Sequence, residues 1–353
     1  MNVLHRLHNL KSYIQNNGLK EVILRRVVDR LVHDYWKGKI YLHPRNFYHP
    51  LNSIQIERPI FLLGTQGGGG TIVSRLLRQH PDVVYITGNN MFWGGEDELH
   101  NIQRFKKLPD EWVLRSPGYN NLLGTEEYHP SFGYERSWLY ATNALLPWYR
   151  LTESHWSEYV ENSIVNVLKR CIRAYAKDPH LARFHDMSQS FALKVPLLKK
   201  IFPDAKFILL IRNPFAMCWR EVTKKNNKYR HFAKIPDQKQ ALQWAVEHWY
   251  NTYSIALNDL DDNTDNYILR YEDFVLEPEK YVYTLLDFCD LDKERYELPA
   301  YNMNIPLGTK SRNKWWPVSK HANFGYLQDI PKWAIDTIQY HCSDIVDDFD
   351  YKY

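Results

Sequence analysis

The sequence predicts a three-layer α/β domain with helices on both faces of a central, mainly parallel sheet. Three observations carry this. Ile60-Phe61-Leu62-Leu63 and Phe207-Ile208-Leu209-Leu210-Ile211 are short continuous apolar runs, the pattern of strands buried on both faces. Segments of helical period separate such runs. The first run leads into Gly64-Thr65-Gln66-Gly67-Gly68-Gly69-Gly70-Thr71, then a helical stretch and another apolar run. That is a βαβ unit, which demands parallel strands.

Taken in order, residues 19–36 read as an amphipathic helix, with Leu24, Val27, Val28, Leu31 and Tyr35 on one face. Residues 37–58 hold His43, Pro44, His49 and Pro50 without periodicity and read as a connection. Strand 60–63 follows. The helix after the glycines carries Ile72, Val73, Leu76 and Leu77 and stops at His80-Pro81. Residues 82–87 read as the next strand. Residues 112–160 are dense in aromatics at irregular spacing. Helices are predicted at 157–177, 237–258, 278–290 and 332–346. Further strands are predicted at 206–212 and 266–271.

The chain has 353 residues, 44% hydrophobic and 24% charged, which excludes a disordered or collagen-like chain. The net charge of +4 does not point to nucleic acid. It is unevenly spread, because residues 1–50 hold nine Lys/Arg against three acids, +6, leaving the remainder at −2. A basic helical extension, residues 1–55, thus precedes a domain at 56–348. The +6 favours peripheral membrane contact through residues 1–36, with packing on the domain as the alternative. No apolar run reaches the length of a membrane span or a signal peptide. Cys171, Cys218, Cys289 and Cys342 form no CxxC or Cys/His cluster, so no metal site is expected. A cytoplasmic location is expected.

Four consecutive glycines between a buried strand and a helix cost backbone entropy. They suit a backbone that wraps an anion at a helix N-terminus. The nucleotide-hydrolase pattern GxxxxGK[ST] is met at Gly64, Gly69 and Thr71, but its lysine falls on Gly70. A P-loop kinase or NTPase is therefore disfavoured.

FLLGTQGGGGTIVSRLLRQHPDV resembles the 5′-phosphosulfate loop of the PAPS-dependent sulfotransferases. FPDAKFILLIRNPFAMCWREV resembles that family's 3′-phosphate strand and helix. Leu193-Lys194-Val195-Pro196 resembles its Lys-x-Pro segment. Leu269-Arg270-Tyr271-Glu272-Asp273-Phe274 with Pro278 resembles its Arg-Tyr-Glu-Asp-Leu strand. The four occur in the family's order across residues 58–346. The resemblance implies a P-loop-like sulfotransferase fold. It also implies sulfuryl transfer from 3′-phosphoadenosine 5′-phosphosulfate (PAPS) to a hydroxyl or amine, without a metal.

On that resemblance the donor's phosphosulfate lies against Gly64, Gln66, Gly67, Gly68, Gly69, Gly70 and Thr71. Its 3′-phosphate is held by Arg212. The chain departs from the pattern where the loop Arg/Lys becomes Gly67, its serine Gly68 and one threonine Gly70. The serine eight residues after the 3′-phosphate arginine is Arg220, either a charged replacement or a solvated helix residue. Substitute cations are Arg75 and a late basic segment with Lys310, Arg312 and Lys314, read as a lid. The acceptor's base is expected at Glu96, with His185 second and a structural histidine as its alternative. Lys194 is expected to assist the leaving group or else to lie on the surface.

The aromatic-rich segment 112–160 falls where the family builds its acceptor side. Trp138, Trp148 and Trp156 are candidates for stacking on a sugar or phenol, with a second small core as the alternative. The expected function is a sulfotransferase acting on a carbohydrate hydroxyl. A non-catalytic nucleotide- or partner-binding relative, favoured by Gly67, is the alternative.

Overall fold

The computed structural model describes residues 43–85, 140–223, 237–260, 265–300, 304–306, 313–315, 319–321 and 323–353. The helix at 19–36, Glu96, Trp138, Lys310, Arg312 and most of segment 112–160 lie outside the described residues.

The two most continuous apolar runs form adjacent central strands, β1 (Ile60–Leu63) and β4 (Lys206–Ile211). With β2 (Val83–Val84), β3 (Arg183–Asp186) and β5 (Asn266–Arg270) they make a five-stranded parallel sheet in the order β2-β3-β1-β4-β5. Side chains alternate across it, so one strand feeds two cores. Phe61, Leu63, Phe207, Leu209 and Ile211 point into one, and Ile60, Leu62, Ile208 and Leu210 into the other. The first core is covered by α2 (Glu158–Tyr175), α3 (Val195–Ile201), α4 (Pro214–Thr223), α5 (Gln238–Asp259) and, late in the chain, α9 (Lys332–Asp348). The second is covered by α1 (Gly70–Leu77), α6 (Tyr271–Leu276) and α7 (Pro278–Phe288). A short helix, α8 (Phe324–Gln328), precedes α9. This is the three-layer arrangement the apolar runs predict.

Strand β3 is absent from the sequence expectations. Only Phe184 in it is apolar, yet it fills the centre between β2 and β1. Two of its polar side chains have hydrogen-bond partners in the fold. His185 Nε2 shares a 2.8 Å hydrogen bond with Ser74 Oγ on α1, and Asp186 Oδ1 accepts from the Ser188 backbone at 2.7 Å. Late in the chain, β6 (Asn304–Pro306) and β7 (Asn313–Trp315) pair antiparallel.

The described end of the aromatic segment packs inward. Tyr140, Ala141, Tyr149 and Leu193 form a small core, while Trp148 and Trp156 are exposed. Trp156 Nε1 donates to Glu161 Oε2 at 2.6 Å. Arg150 clamps this segment to the end of α5 through a two-pronged pair with Asp259, at 2.6 and 2.7 Å. The four cysteines are buried and free.

His248 on α5 is buried against the Tyr140 ring, and its Nδ1 accepts from the Ala141 backbone at 3.3 Å. Burial pushes its pKa down to about 3. The unfolded chain therefore binds a proton that the folded chain refuses between the ordinary value near 6.5 and about 3. The group costs no stability above pH 6.5, and stability is lost as the pH falls below it. Relative to a His248→Gln variant, urea unfolding of the natural chain should lose about 3 kcal/mol between pH 7 and pH 4. Parallel pH profiles for the two would contradict the assignment.

Candidate functional site

The site lies at the C-terminal ends of β1, β4 and β5, where ligands of open parallel sheets bind. Leaving β1, the chain turns through Gly64–Gly69. Gly68 N–H donates to Thr65 O at 3.0 Å, and Gly69 stands before α1 with φ of 101°, in the left-handed region. No side chain caps α1. The positive end of its dipole therefore stands directly after the glycine loop, an arrangement that suits an anion.

The loop is held from outside. The Tyr253 hydroxyl on α5 donates to Leu210 O at 3.0 Å and accepts from Thr65 N–H at 3.3 Å. It thereby ties the loop to the end of β4. Burial pushes that hydroxyl up to about 12, so it stays protonated. The Tyr271 ring packs so closely on Gly69 that a Cβ there would stand 2.4 Å from two of its carbons.

Arg212, at the end of β4, is 5% exposed and forms the centre of a network. Its Nη1 donates to Gly67 O at 2.9 Å. Its Nε and Nη2 donate to Asn323 Oδ1 at 2.8 and 2.6 Å. The guanidinium lies 4.2 Å from the Tyr271 ring centre, a cation–π contact. Asn323 in turn donates to Glu272 Oε1, which also accepts from Asn213 N–H at 3.1 Å. Burial lowers the Arg212 pKa, opposed by Tyr271 and Glu272. Burial raises the Glu272 pKa, opposed by its hydrogen bonds and Arg212. Asn213 Oδ1 accepts from Ala216 N–H at 3.2 Å and so caps α4.

Arg220, in the last turn of α4, also reaches the loop. Its Nη1 donates to Gly67 O at 3.2 Å and pairs with Glu221 Oε1 at 3.2 Å. Its side chain is only 15% exposed, so it is not a solvated helix residue.

The structure thus brings Gly64–Thr71, Arg212 and Arg220 together. It places two other candidates differently. His185 is 1% exposed, pairs in register with Ile60 of β1, and bridges β3 to Ser74 on α1. Lys194 is completely buried rather than on the surface. Its Nζ donates to Ser190 Oγ at 2.8 Å and lies 5.6 and 6.0 Å from the Phe191 and Tyr149 rings. Arg75 is buried too. The residues that sequence reasoning missed are Tyr253, Tyr271, Glu272 and Asn323. Tyr271 and Glu272 stand inside a recognised motif. Asn323 carries no signal in the sequence.

Among the described residues no helix is long and apolar enough to cross a membrane, and no cluster of three or more His, Cys, Asp or Glu could hold a metal.

Several known proteins are similar. An uncharacterized protein of Aquifex aeolicus (strain VF5) is 25% identical over 292 residues, 78% of this chain. The match spans 30% of that relative's length. The sulfotransferase domain from the curacin biosynthetic pathway superposes with a TM-score of 0.47 at 15% identity, covering 84% of this chain and 99% of that one. Sulfotransferase STF9 from Mycobacterium avium gives 0.49 at 16% identity, covering 91% and 82%. Residues 59–295, which hold the glycine loop and both arginines, match the Sulfotransferase family, and the chain belongs to that family.

Proposed function

We propose that this chain transfers a sulfuryl group from PAPS to a hydroxyl of a carbohydrate acceptor. The observation that carries the proposal is a glycine loop at the N-terminus of α1 whose Gly67 carbonyl is held by two arginine side chains. A donor with a 5′ phosphosulfate and a 3′ phosphate needs two such anion-binding elements in one cleft. The loop N–H groups suit the first and Arg212 suits the second.

Sulfuryl transfer resembles phosphoryl transfer, being in line and loose, with charge gathering on the leaving phosphate. This chain's own contribution is positioning and charge stabilisation. The uncapped first turn of α1 and the arginines face that charge. Tyr253 and Tyr271 fix the loop, so the N–H groups need no reorganisation. Glu96 remains the proposed base, with Lys310 and Arg312 proposed for the lid. The acceptor is proposed to stack on the aromatic segment, where Trp148 and Trp156 are exposed. The +6 of residues 1–50 supports membrane-surface contact by a cytoplasmic enzyme.

Gly67 favours one other reading, a relative that binds the nucleotide without transfer. The test is incubation with ³⁵S-labelled PAPS and separate panels of glycans, phenols and alkylamines. Label is expected on glycans. Label on phenols or amines alone overturns the carbohydrate assignment. Binding of the product 3′-phosphoadenosine 5′-phosphate (PAP) with no label on any panel supports the non-catalytic reading.

A further inference from the structure

Gly67 lacks the basic side chain that sulfotransferase loops carry at this position, but the space is filled. A Cβ built on Gly67 would stand 2.0 Å from Arg220 Nη1 and 3.1 Å from its Cζ. The guanidinium occupies the volume into which a side chain at 67 would grow. It arrives from α4, 153 residues away, and Nη1 is fixed by Gly67 O and Glu221 Oε1. We infer that Arg220 supplies the cation of the 5′-phosphosulfate loop, standing in for the side chain that Gly67 lacks. This rests on the sulfotransferase reading above and assigns Arg220 to the 5′ side of the donor. By its spacing after Arg212 it would belong to the 3′ side.

Two further features agree. First, the backbone at Gly67 has φ of 82°, which favours glycine, and a side chain there would drive Arg220 out. The absence of a loop side chain and the presence of Arg220 are one steric solution. Second, Arg212 and Arg220 both donate to the Gly67 carbonyl. Two cations that close repel, and an anion bound beside them relieves that repulsion. Glu221 is the carboxylate that shares Arg220, and it would share it with an arriving phosphate.

The test is calorimetry with PAP, adenosine 5′-monophosphate and adenosine 3′-monophosphate. Arg220→Ala should weaken PAP and the 5′-monophosphate about 10- to 100-fold, the scale of one charge-assisted hydrogen-bonding group. Binding of the 3′-monophosphate should stay within about twofold, which also shows that the variant is folded. Arg220→Lys should recover part of the loss. Gly67→Lys alone should weaken PAP, and Gly67→Lys combined with Arg220→Ala should bind it more tightly than Arg220→Ala alone. Loss of the 3′-monophosphate with the 5′-monophosphate retained would overturn the inference, as would unchanged affinity for all three. If the natural chain binds none of them, the donor assignment itself fails, and that is seen before any variant is made.

Discussion

Arg212→Ala should abolish measurable PAP binding, at least a 100-fold loss, and destabilise the fold by about 2–4 kcal/mol. Both effects have the same origin. The guanidinium is buried, donates three hydrogen bonds to Gly67 and Asn323, and lies over the Tyr271 ring. Its removal leaves Asn323 Oδ1 without its two Arg212 donors and the Gly67 carbonyl with Arg220 alone. It also strips the buried Glu272 carboxylate of its nearest compensating charge. Arg212→Lys should fall between, because a single ammonium cannot span Gly67 O and Asn323 Oδ1 together. Urea unfolding and calorimetry measure the two effects separately. Retained PAP affinity in Arg212→Ala would show that the 3′-phosphate site is elsewhere.

The second large effect is steric. Gly69→Ala should destabilise the protein by about 2–5 kcal/mol, combining backbone strain at φ of 101° with overpacking against the Tyr271 ring 2.4 Å away. The adjacent Gly70→Ala should be within about 1 kcal/mol of neutral. Gly70 opens α1, and the nearest atom to a Cβ there is 3.9 Å away. Two neighbouring glycines of one loop thus have opposite tolerances. Equal unfolding midpoints for the two variants would mean that Tyr271 does not pack on the loop as described.

These contrasts mark what the sequence made legible. Strands β1 and β4 were readable because burial on both faces leaves a continuous apolar run in each, broken only by Lys206 at the start of β4. The glycine loop was readable because it interrupts that pattern with residues no core needs. Strand β3 was not, since three of its four residues are polar, and no periodicity encodes a partner such as Ser74 for His185. The site divides the same way. Arg212 stands at a strand end and is visible as a cation in the right place. Asn323 fixes it from 111 residues away and leaves no pattern. Gly67 was legible as a missing cation. That Arg220 fills its space is a fact of how α4 packs beside the loop.

The central claim is that this cleft holds a nucleotide with phosphates at both the 5′ and 3′ positions. Calorimetric titration of the natural chain with PAP, set against ATP with Mg²⁺, tests it most directly. One PAP is expected to bind per chain without added metal, with no competition from ATP at equal concentration. Absence of heat with PAP, or Mg²⁺-dependent ATP binding that PAP does not displace, would contradict it.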